Sequence, residues 1–460
     1  MKIISKRLLA TAIVAGLALP AVSHATNGYF MIGFGAKSRG MAGVGVAEGV
    51  DGLAAAFNPA TMADVGTRFD IGGDIFSAPL RITHSDGTLS QTTIFEESDF
   101  EDTAFSQNGI FLIPNMGGTW QYTDEITLGF AFIGAGMGTM YDQSLPAGND
   151  SYFFNFNGLG GDSRDRVGIK LMQMQIPLSI AYKVNEQHAV GASFVMAAQL
   201  FEAWGLNAFT DLNLGVTTDN LSNMGTDVSY GAGIRLGWQG KFLKEDLILG
   251  ANYSSRVYMS EFEDYSSLFA EQGDFDIPEN YSLGLSYHAT PEVTVKFDVQ
   301  RINYNDIASV GNPGPYAYNS TEFNPLCPGL DSQECLIGGD LGMGFGWTNQ
   351  TIYKLGAEYI YNDKLTLRAG VNYGEATIET DQLLFNLIAP ATVETHLTMG
   401  ATYNFSADIE LSASYVHAFE NTITGQTMFQ PLGSNPDITV DNAAISMKQD
   451  SLGVSLGIKW

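Results

Sequence analysis

The chain has 460 residues, of which 45% are hydrophobic, 12% are aromatic and 52 are glycine. Charged residues make up only 16%, against roughly 25% in soluble domains, so the composition fits a transmembrane barrel better than a soluble enzyme. The formal net charge of −28 argues against nucleic acid as a partner, because the phosphate backbone attracts basic surfaces.

The N-terminal 25 residues have the three parts of an export signal. Positive charges lie within residues 2–7, an apolar run covers residues 8–22, and residues 23–25 have the small-x-small pattern of a cleavage site. We therefore predict that residues 1–25 are a signal peptide. No later run of about eighteen apolar residues follows, so a membrane-spanning helix is not expected.

Residues 26–66 are rich in glycine and alanine. Residues 40–51 lack bulky side chains, so the segment cannot form a core of its own, and its glycines let backbone pack closely against backbone. Asn58-Pro59-Ala60 ends it with a turn, because the residue before a proline avoids the helical conformation. We predict a compact insert inside a larger structure. A flexible mature N-terminus is the alternative.

Apolar and polar residues alternate with period two from about residue 67 to the C-terminus, as strands with two different faces require. The alternation is clear in residues 293–299, 365–373 and 452–460. The pattern predicts fourteen strands, at 67–80, 109–122, 126–141, 167–183, 188–203, 227–239, 246–258, 279–288, 293–303, 350–361, 364–375, 395–405, 408–419 and 449–460.

The connections between these strands are alternately short and long. Short polar turns such as 123–125 and 362–363 alternate with long segments such as 81–108 and 304–349. An even number of strands, with short turns at one end and long loops at the other, is typical of bacterial outer-membrane barrels. We therefore predict an all-β fold, a transmembrane antiparallel barrel of about fourteen strands over residues 67–460, in a Gram-negative outer membrane.

The glycine-rich segment resembles the N-terminal hatch of the FadL family, outer-membrane transporters of long-chain fatty acids and other hydrophobic molecules. The residues that carry the resemblance are Asn27-Gly28-Tyr29, the 35–45 segment with Lys37 and Arg39, and Asn58-Pro59-Ala60. Their order, directly after an export signal and before a barrel-like region, is that of the family, and the resemblance extends more loosely over the rest. It implies that residues 26–66 are a hatch that plugs the lumen.

Two predicted extracellular loops are unusually apolar, and contiguous exposed apolar surface tends to mark a binding site. The candidate substrate-binding residues are Trp204, Leu206, Phe209 and Leu212 in the first loop and Phe262, Tyr265, Leu268 and Phe269 in the second. In the FadL family the third and fourth loops form the first hydrophobic capture groove, and by count these are the same loops. The alternative is that the loops only pack on each other to cap the barrel.

The polar strand face, which should point into the lumen, carries many of the few basic residues. These are Arg235, Arg256, Lys296, Lys354 and Arg368. One or two of them are candidates to hold a substrate carboxylate by charge-assisted hydrogen bonds. The alternative is pairing with Asp298, Glu358 and the hatch residues Glu48 and Asp51. The resemblance implies a basic residue late in the fifth strand, but residues 197–200 are Ala-Ala-Gln-Leu, which leaves neutral hydrocarbons open as substrates.

The third predicted strand loses its bulky residues at Gly134, Gly136 and Gly138. Glycine inside a strand often marks a bulge or kink, and in the FadL family an inward kink of the third strand opens a lateral portal. Release sideways into the bilayer keeps a hydrophobic ligand out of water, so we expect the portal here. The alternative is that the small residues only make room for the hatch.

Cys327 and Cys335 lie in a loop rich in proline and glycine, and in an exported protein they predict a local disulfide. A metal pair is the weaker alternative, since no histidine or further cysteine has ligand spacing. The acidic run 96–102 fits a solvated loop face, with divalent-cation binding as its alternative. The mature histidines are scattered singly, so no catalytic constellation is evident.

The predicted function is passive uptake of hydrophobic small molecules, with capture at the loops and lateral release, and no cofactor is implied. The expected partners are the hydrophobic ligand, outer-membrane lipid and lipopolysaccharide, and the barrel-assembly machinery during biogenesis. A monomer is expected. The alternatives are a binding or structural barrel without transport, such as an adhesin or phage receptor, and an outer-membrane enzyme.

Overall fold

The structure is a computed structural model that describes residues 27–78, 80–84, 111–142, 166–206, 219–314, 333–425 and 443–460. The predicted signal peptide and the acidic run 96–102 lie outside these residues. Among the described residues, no helix is long and apolar enough to cross a membrane.

Within those residues the secondary structure is mostly strand, with four short helices. The strands are β1 (Arg68–Ser77), β2 (Leu80–His84), β3 (Phe111–Gln121), β4 (Ile126–Asp142), β5 (Arg166–Lys183), β6 (His188–Trp204), β7 (Asp227–Phe242), β8 (Leu247–Ser254), β9 (Tyr258–Met259), β10 (Asn280–Thr290), β11 (Val293–Ile302), β12 (Gln350–Asn362), β13 (Leu365–Gly374), β14 (Thr395–Asn404), β15 (Ile409–Gly425) and β16 (Ala443–Lys459). The helices are α1 (Gly35–Arg39), α2 (Ala270–Gly273), α3 (Ala308–Gly311) and α4 (Leu383–Asn386).

Fourteen strands close into one antiparallel barrel. The two short strands are additions to it, since β2 pairs with the far end of β16 and β9 pairs with β7. The barrel closes because β1 pairs with β16, from Arg68 opposite Lys459 to Ser77 opposite Asp450. This closed sheet confirms the predicted all-β barrel of about fourteen strands.

The two faces of the barrel wall have opposite polarity. Along β15, Leu411 and Tyr415 are exposed, whereas Glu410, Ser412 and Ser414 are buried. Apolar side chains therefore point outward and polar ones inward. That is the pattern of strands whose outer face meets lipid, and the reverse of a soluble protein.

The predicted strand boundaries differ from the structure mainly at two places. β15 and β16 extend beyond the predicted 408–419 and 449–460, because their outer ends pair with each other up to Gly425 opposite Ala443. The predicted strand 246–258 is interrupted, since β8 ends at Ser254 and the chain then turns toward the loop that follows.

The hatch lies inside the barrel. Helix α1 packs against β14, β15 and β16, and two 3₁₀ segments, Ala54–Ala56 and Pro59–Asp64, pack against the wall between β4 and β7. A glycine in the wall makes one such contact possible, because a Cβ at Gly237 would lie 1.9 Å from Oδ1 of Asn58. The hatch therefore touches the wall on opposite sides.

Candidate functional site

An apolar cluster caps the extracellular end of the barrel. The ring centroid of Phe201 lies 4.7 Å from that of Phe269 and 4.8 Å from that of Tyr265. Leu206 and Phe262 are buried in the same group. We name these five residues the outer cluster.

Five of the eight predicted substrate-binding residues lie in the outer cluster or pack against it: Leu206, Phe262, Tyr265, Leu268 and Phe269. Trp204 is half-buried and is not part of the cluster. Phe209 and Leu212 lie outside the described residues. Because Phe262 and Tyr265 are both 0% exposed, these two rings pack the loops together, whereas Leu268 and Phe269 border open space.

The outer cavity opens beside the outer cluster. Its apolar lining includes Ile169, Phe201, Leu268, Phe269, Phe345 and Phe385. Phe345 and Phe385 come from the segments that follow β11 and β13, and sequence reasoning did not find them. The mostly apolar run 383–388 was a sequence signal for Phe385 alone, and it does not reveal which cavity the run reaches.

The N-terminal end of the hatch reaches into the same apolar region. Tyr29 is 0% exposed, and its ring centroid lies 5.3 Å from that of Tyr304 and 6.0 Å from that of Trp347. The hydroxyl of Tyr304 donates to the carbonyl of Asn27. The hatch and the loops are thus joined in one apolar body.

The inner cavity lies between the hatch and the barrel wall. Hatch residues 30–34 form part of one side. The wall contributes Ile133, Gly134 and Ala135 from β4 and Gln173 and Gln175 from β5. The inner cavity is more polar than the outer one, because amide side chains form part of its wall.

The hydrogen-bonded ladder of the barrel wall is interrupted beside the inner cavity. β3 and β4 pair from Gln121 opposite Thr127 to Met116 opposite Phe132. From Ile133 onward, within the described part of the chain, β4 is paired with β5 alone. The preceding residues of β3 remain paired with β1, so β3 and β4 diverge at this level.

The three predicted portal glycines lie on β4 at this divergence. Gly134 lines the inner cavity, and a Cβ there would lie 3.3 Å from the side chain of Ile113 on β3. Gly136 and Gly138 are paired in regular register with β5. From Ile133 outward, among the residues that the structure describes, the ladder is therefore continuous on the β5 side and absent on the β3 side.

Two of the predicted lumen cations, Arg235 and Lys354, line the inner cavity. Arg235 donates to Oγ of Ser254 at 2.7 Å and to the carbonyl of Ala55 at 3.0 Å. Nζ of Lys354 donates to the carbonyl of Ile32 at 3.0 Å. Both cations therefore hold the backbone of the hatch.

The other three predicted lumen cations are in ion pairs. Nζ of Lys296 lies 2.8 Å from Glu48 of the hatch, and Arg368 lies 2.7 Å from Glu358. Arg256 lies 3.7 Å from a loop carboxylate. Burial raises the pKa of Glu48, but the ammonium of Lys296 outweighs it and brings that pKa down to about 2.

A charged network at the base of the hatch went unpredicted. Lys37 of α1 pairs with Glu410 of β15, which also lies 2.5 Å from Arg68 of β1. Arg68 in turn lies 2.6 Å from Asp70. Beside this network, burial and then repulsion from Asp70 raise the pKa of the Asp51 carboxyl to about 6. Asp51 was predicted as a partner for a lumen cation, and such pairing would lower its pKa instead.

Arg39, also on α1, joins the hatch to two strands at once. Its Nη2 donates to Oγ of Ser451 on β16 at 2.7 Å, and its Nε lies 3.1 Å from Asp74 of β1. The side chain is 0% exposed. The two basic residues singled out in the hatch sequence therefore contact the wall.

The Asn58-Pro59-Ala60 turn fixes the opposite side of the hatch. Nδ2 of Asn58 donates to the carbonyls of Val46 at 2.7 Å and Trp238 at 2.9 Å. Its Oδ1 accepts from the N–H of Ala60 at 3.0 Å, and Pro59 starts the 3₁₀ segment. The turn therefore attaches the hatch to β7.

Cys335 is disulfide-bonded. Cys327 lies outside the described residues, so the pairing of the two stays a prediction. Among the residues that the structure describes, no group of three or more His, Cys, Asp and Glu side chains is placed to hold a metal ion.

Comparison with known proteins assigns the family. The sequence model described as "Outer membrane protein transport protein (OMPP1/FadL/TodX)" matches residues 17–449. The chain belongs to this family. Membership in the OMPP1/FadL/TodX family confirms the resemblance seen in the sequence and places the protein in the outer membrane of a Gram-negative bacterium.

A curated relative and two solved structures are similar to this OMPP1/FadL/TodX member. "Outer membrane protein P1" of Haemophilus influenzae is 23% identical over 376 residues, which cover 77% of this chain and 74% of the relative. The toluene transporter TodX of P. putida has a TM-score of 0.65 at 18% identity, over 93% of this chain and 99% of its own. A FadL homologue of Pseudomonas aeruginosa has a TM-score of 0.63 at 13% identity, over 94% and 99%.

Proposed function

We propose that the protein takes up small neutral hydrophobic molecules by passive diffusion and releases them sideways into the outer membrane. The observation that carries the proposal is a succession of three features along the lumen. The outer cavity lies among the loops, the inner cavity lies against the hatch, and the ladder between β3 and β4 is interrupted beside it. An apolar molecule that stays out of water along this route avoids a free-energy cost of about 0.8 kcal/mol for each CH₂ group.

Capture takes place in the outer cavity. Leu268 and Phe269 of one predicted capture loop line it together with Phe201 of β6. These side chains offer an apolar surface at the end of the barrel that faces the outside. Lipopolysaccharide resists the passage of hydrophobic molecules. A route that begins at the extracellular loops, on the outer side of the lipopolysaccharide layer, avoids this barrier.

The hatch blocks the route straight down. It is attached to the wall by Lys37 and Arg39 on one side and by Asn58 on the other. These contacts include buried ion pairs, which are costly to break when only one partner moves. Exit through the gap between β3 and β4 leaves them intact and delivers the molecule to the bilayer.

The cargo is neutral, because the cations of the lumen have other partners. Arg235 and Lys354 line the inner cavity but donate to hatch carbonyls. A fatty-acid carboxylate in that cavity would have to displace one of these bonds. Structural neighbours described as toluene transporters support a neutral hydrocarbon-like cargo.

Uptake by cells tests the proposal. Cells that lack the gene should accumulate a labelled aromatic hydrocarbon slowly, and restoring the gene should raise the initial rate. Binding of the compound to the cell surface without faster entry would instead favour an adhesin or receptor. We further propose that the protein works as a monomer surrounded by outer-membrane lipid and lipopolysaccharide after insertion by the barrel-assembly machinery.

A further inference from the structure

Two buried glutamines face each other on the lumen side of the wall. Gln173 of β5 and Gln199 of β6 are paired across the ladder, and they are 3% and 0% exposed. In each side chain, neither the amide oxygen nor the amide nitrogen has a hydrogen-bond partner within the part of the chain that the structure describes. Buried amides of this kind are rare in folded proteins.

The glutamine pair lies between the two cavities. Side chains on one face of a strand recur every second residue, so the next lumen-facing pair toward the outside is Leu171 with Phe201. Phe201 lines the outer cavity, and Gln173 lines the inner cavity. A molecule that passes from the outer to the inner cavity therefore passes Gln173, and Gln199 is the neighbour of Gln173 across the ladder.

The chemistry of the pair selects among hydrophobic molecules. Each amide has an N–H₂ donor and an oxygen acceptor. A hydrocarbon satisfies neither group, and a carboxylate only accepts, so it would leave both amide oxygens without a donor. A hydroxyl group donates and accepts, which matches one oxygen and one nitrogen of the pair.

We propose that Gln173 and Gln199 form a hydrogen-bonding subsite for an uncharged hydroxyl group, so that the preferred cargo is a hydrophobic alcohol or phenol. This rests on the proposed function and names the class of its cargo. The hydroxyl donates to Oε1 of one glutamine and accepts from Nε2 of the other. The apolar body of the molecule then lies in the outer cavity against Phe201 and Phe269.

Calorimetric titration of the purified full-length protein in detergent tests this subsite. The ligands are naphthalene, naphthol and naphthoate, which share one apolar body and differ in the polar group. Gln173→Leu and Gln199→Leu should each weaken naphthol binding about tenfold and leave naphthalene binding unchanged or tighter. Gln449→Leu is the control, because Gln449 is also buried but lies on β16, which pairs with neither β5 nor β6.

The outcomes separate the subsite from the transport function. Equal losses of naphthol and naphthalene binding would give the glutamines a merely structural role, and unchanged naphthol binding would mean that interior water satisfies them. Either result overturns the subsite, as does naphthoate binding that is tighter than naphthol binding and lost in the same variants. If cells still take up naphthalene through the protein, the proposed function survives such a result. If no ligand binds and none enters, both fail.

Discussion

Met116 of β3 and Phe132 of β4 form the last pair in the ladder between their strands. Beyond it, Ile113 is paired with Asp74 of β1, and Ile133 is paired with Gln175 of β5. Within the described ranges, each strand thus keeps only its other neighbour at this level, next to a cavity. A closed ladder offers no lateral opening, so this divergence is where we expect a lateral exit.

Gly134→Trp should block the exit. A Cβ at Gly134 points at Ile113 across the divergence, 3.3 Å away, so an indole ring would occupy the space between the strands. Moving the ring aside to let a molecule pass should add about 1–3 kcal/mol to the barrier, which corresponds to a fall in uptake rate of about 5- to 150-fold. The measurement is initial uptake of labelled naphthalene, together with ligand binding to the purified variant, which should be retained.

Gly73→Trp is the matched control for that experiment. Gly73 lies on β1 next to Leu112, a lipid-facing residue, so an indole ring there enters the bilayer and uptake should be normal. Undiminished uptake in Gly134→Trp would count against the lateral route and would favour passage past a displaced hatch.

Deleting residues 27–62 should turn the protein into an open pore. A barrel of about fourteen strands has a lumen wide enough for water and ions unless it is filled, and the hatch fills it here. Ion conductance in planar bilayers should therefore rise above that of the intact protein. A folded deletion variant that conducts no better would show that the hatch is not the barrier.

Asp51→Asn should stabilise the protein at neutral and alkaline pH. Burial and the nearby Asp70 raise the pKa of Asp51 from 3.8 to about 6, so ionisation costs more in the folded state than in the unfolded state. That cost is absent below about pH 4, grows between about pH 4 and 6, and is complete above pH 6, at about 2–3 kcal/mol.

The thermal unfolding midpoint of Asp51→Asn in detergent should thus exceed that of the wild type above pH 6. The gain should shrink to nothing as the pH falls to about 4. Asp64→Asn is the control, since Asp64 lies 3.0 Å from Lys241 in a partly exposed ion pair and should show no such gain. A pH-independent difference for Asp51→Asn would refute the assignment of the shift to Asp51.

Phe269→Ala should weaken capture. Phe269 is 4% exposed, packs on Phe201 and lines the outer cavity, and truncation of a buried phenylalanine costs about 3–5 kcal/mol of packing. The ligand concentration for half-maximal uptake should rise severalfold, because the outer cavity loses an aromatic contact to the ligand and its lining packs less tightly. Phe405→Ala, at a 60% exposed position, should leave that concentration unchanged.

Cys327 and Cys335 should be found joined in protein taken from the outer membrane. Peptide mapping without reductant should recover one cross-linked peptide, and recovery of both thiols free would disprove the pairing. Cys335→Ser should leave the barrel folded, because a short closed loop contributes at most about 3 kcal/mol. The barrel has its own hydrogen-bonded closure between β1 and β16.

The barrel was predictable because the alternation of apolar and polar residues is a local property of each strand. Lipid on one side and a polar lumen on the other impose a period of two on each strand, and Leu411, Ser412 and Tyr415 show it without knowledge of their neighbours. The extra length of β15 and β16 was not predictable, because their outer ends are stabilised by pairing with each other and not by lipid.

The site was only partly predictable because its contacts join distant segments. The apolar character of Leu268 and Phe269 indicated a binding surface, but nothing in the sequence places Phe345 and Phe385 opposite them. The side chain of Arg235 was predicted to face the lumen, and its partners in the hatch are backbone carbonyls some 180 residues away. Such carbonyl partners leave no trace in side-chain chemistry.

Arg39 ties the hatch to the seam of the barrel, where the first strand meets the last. Its partners, Asp74 on β1 and Ser451 on β16, come from opposite ends of the chain and become neighbours only when those strands join. The docking site for this arginine therefore does not exist while the wall is still open. Arg39 can therefore reach both partners only after β1 and β16 have joined, so this contact of the hatch with the wall is completed after barrel closure.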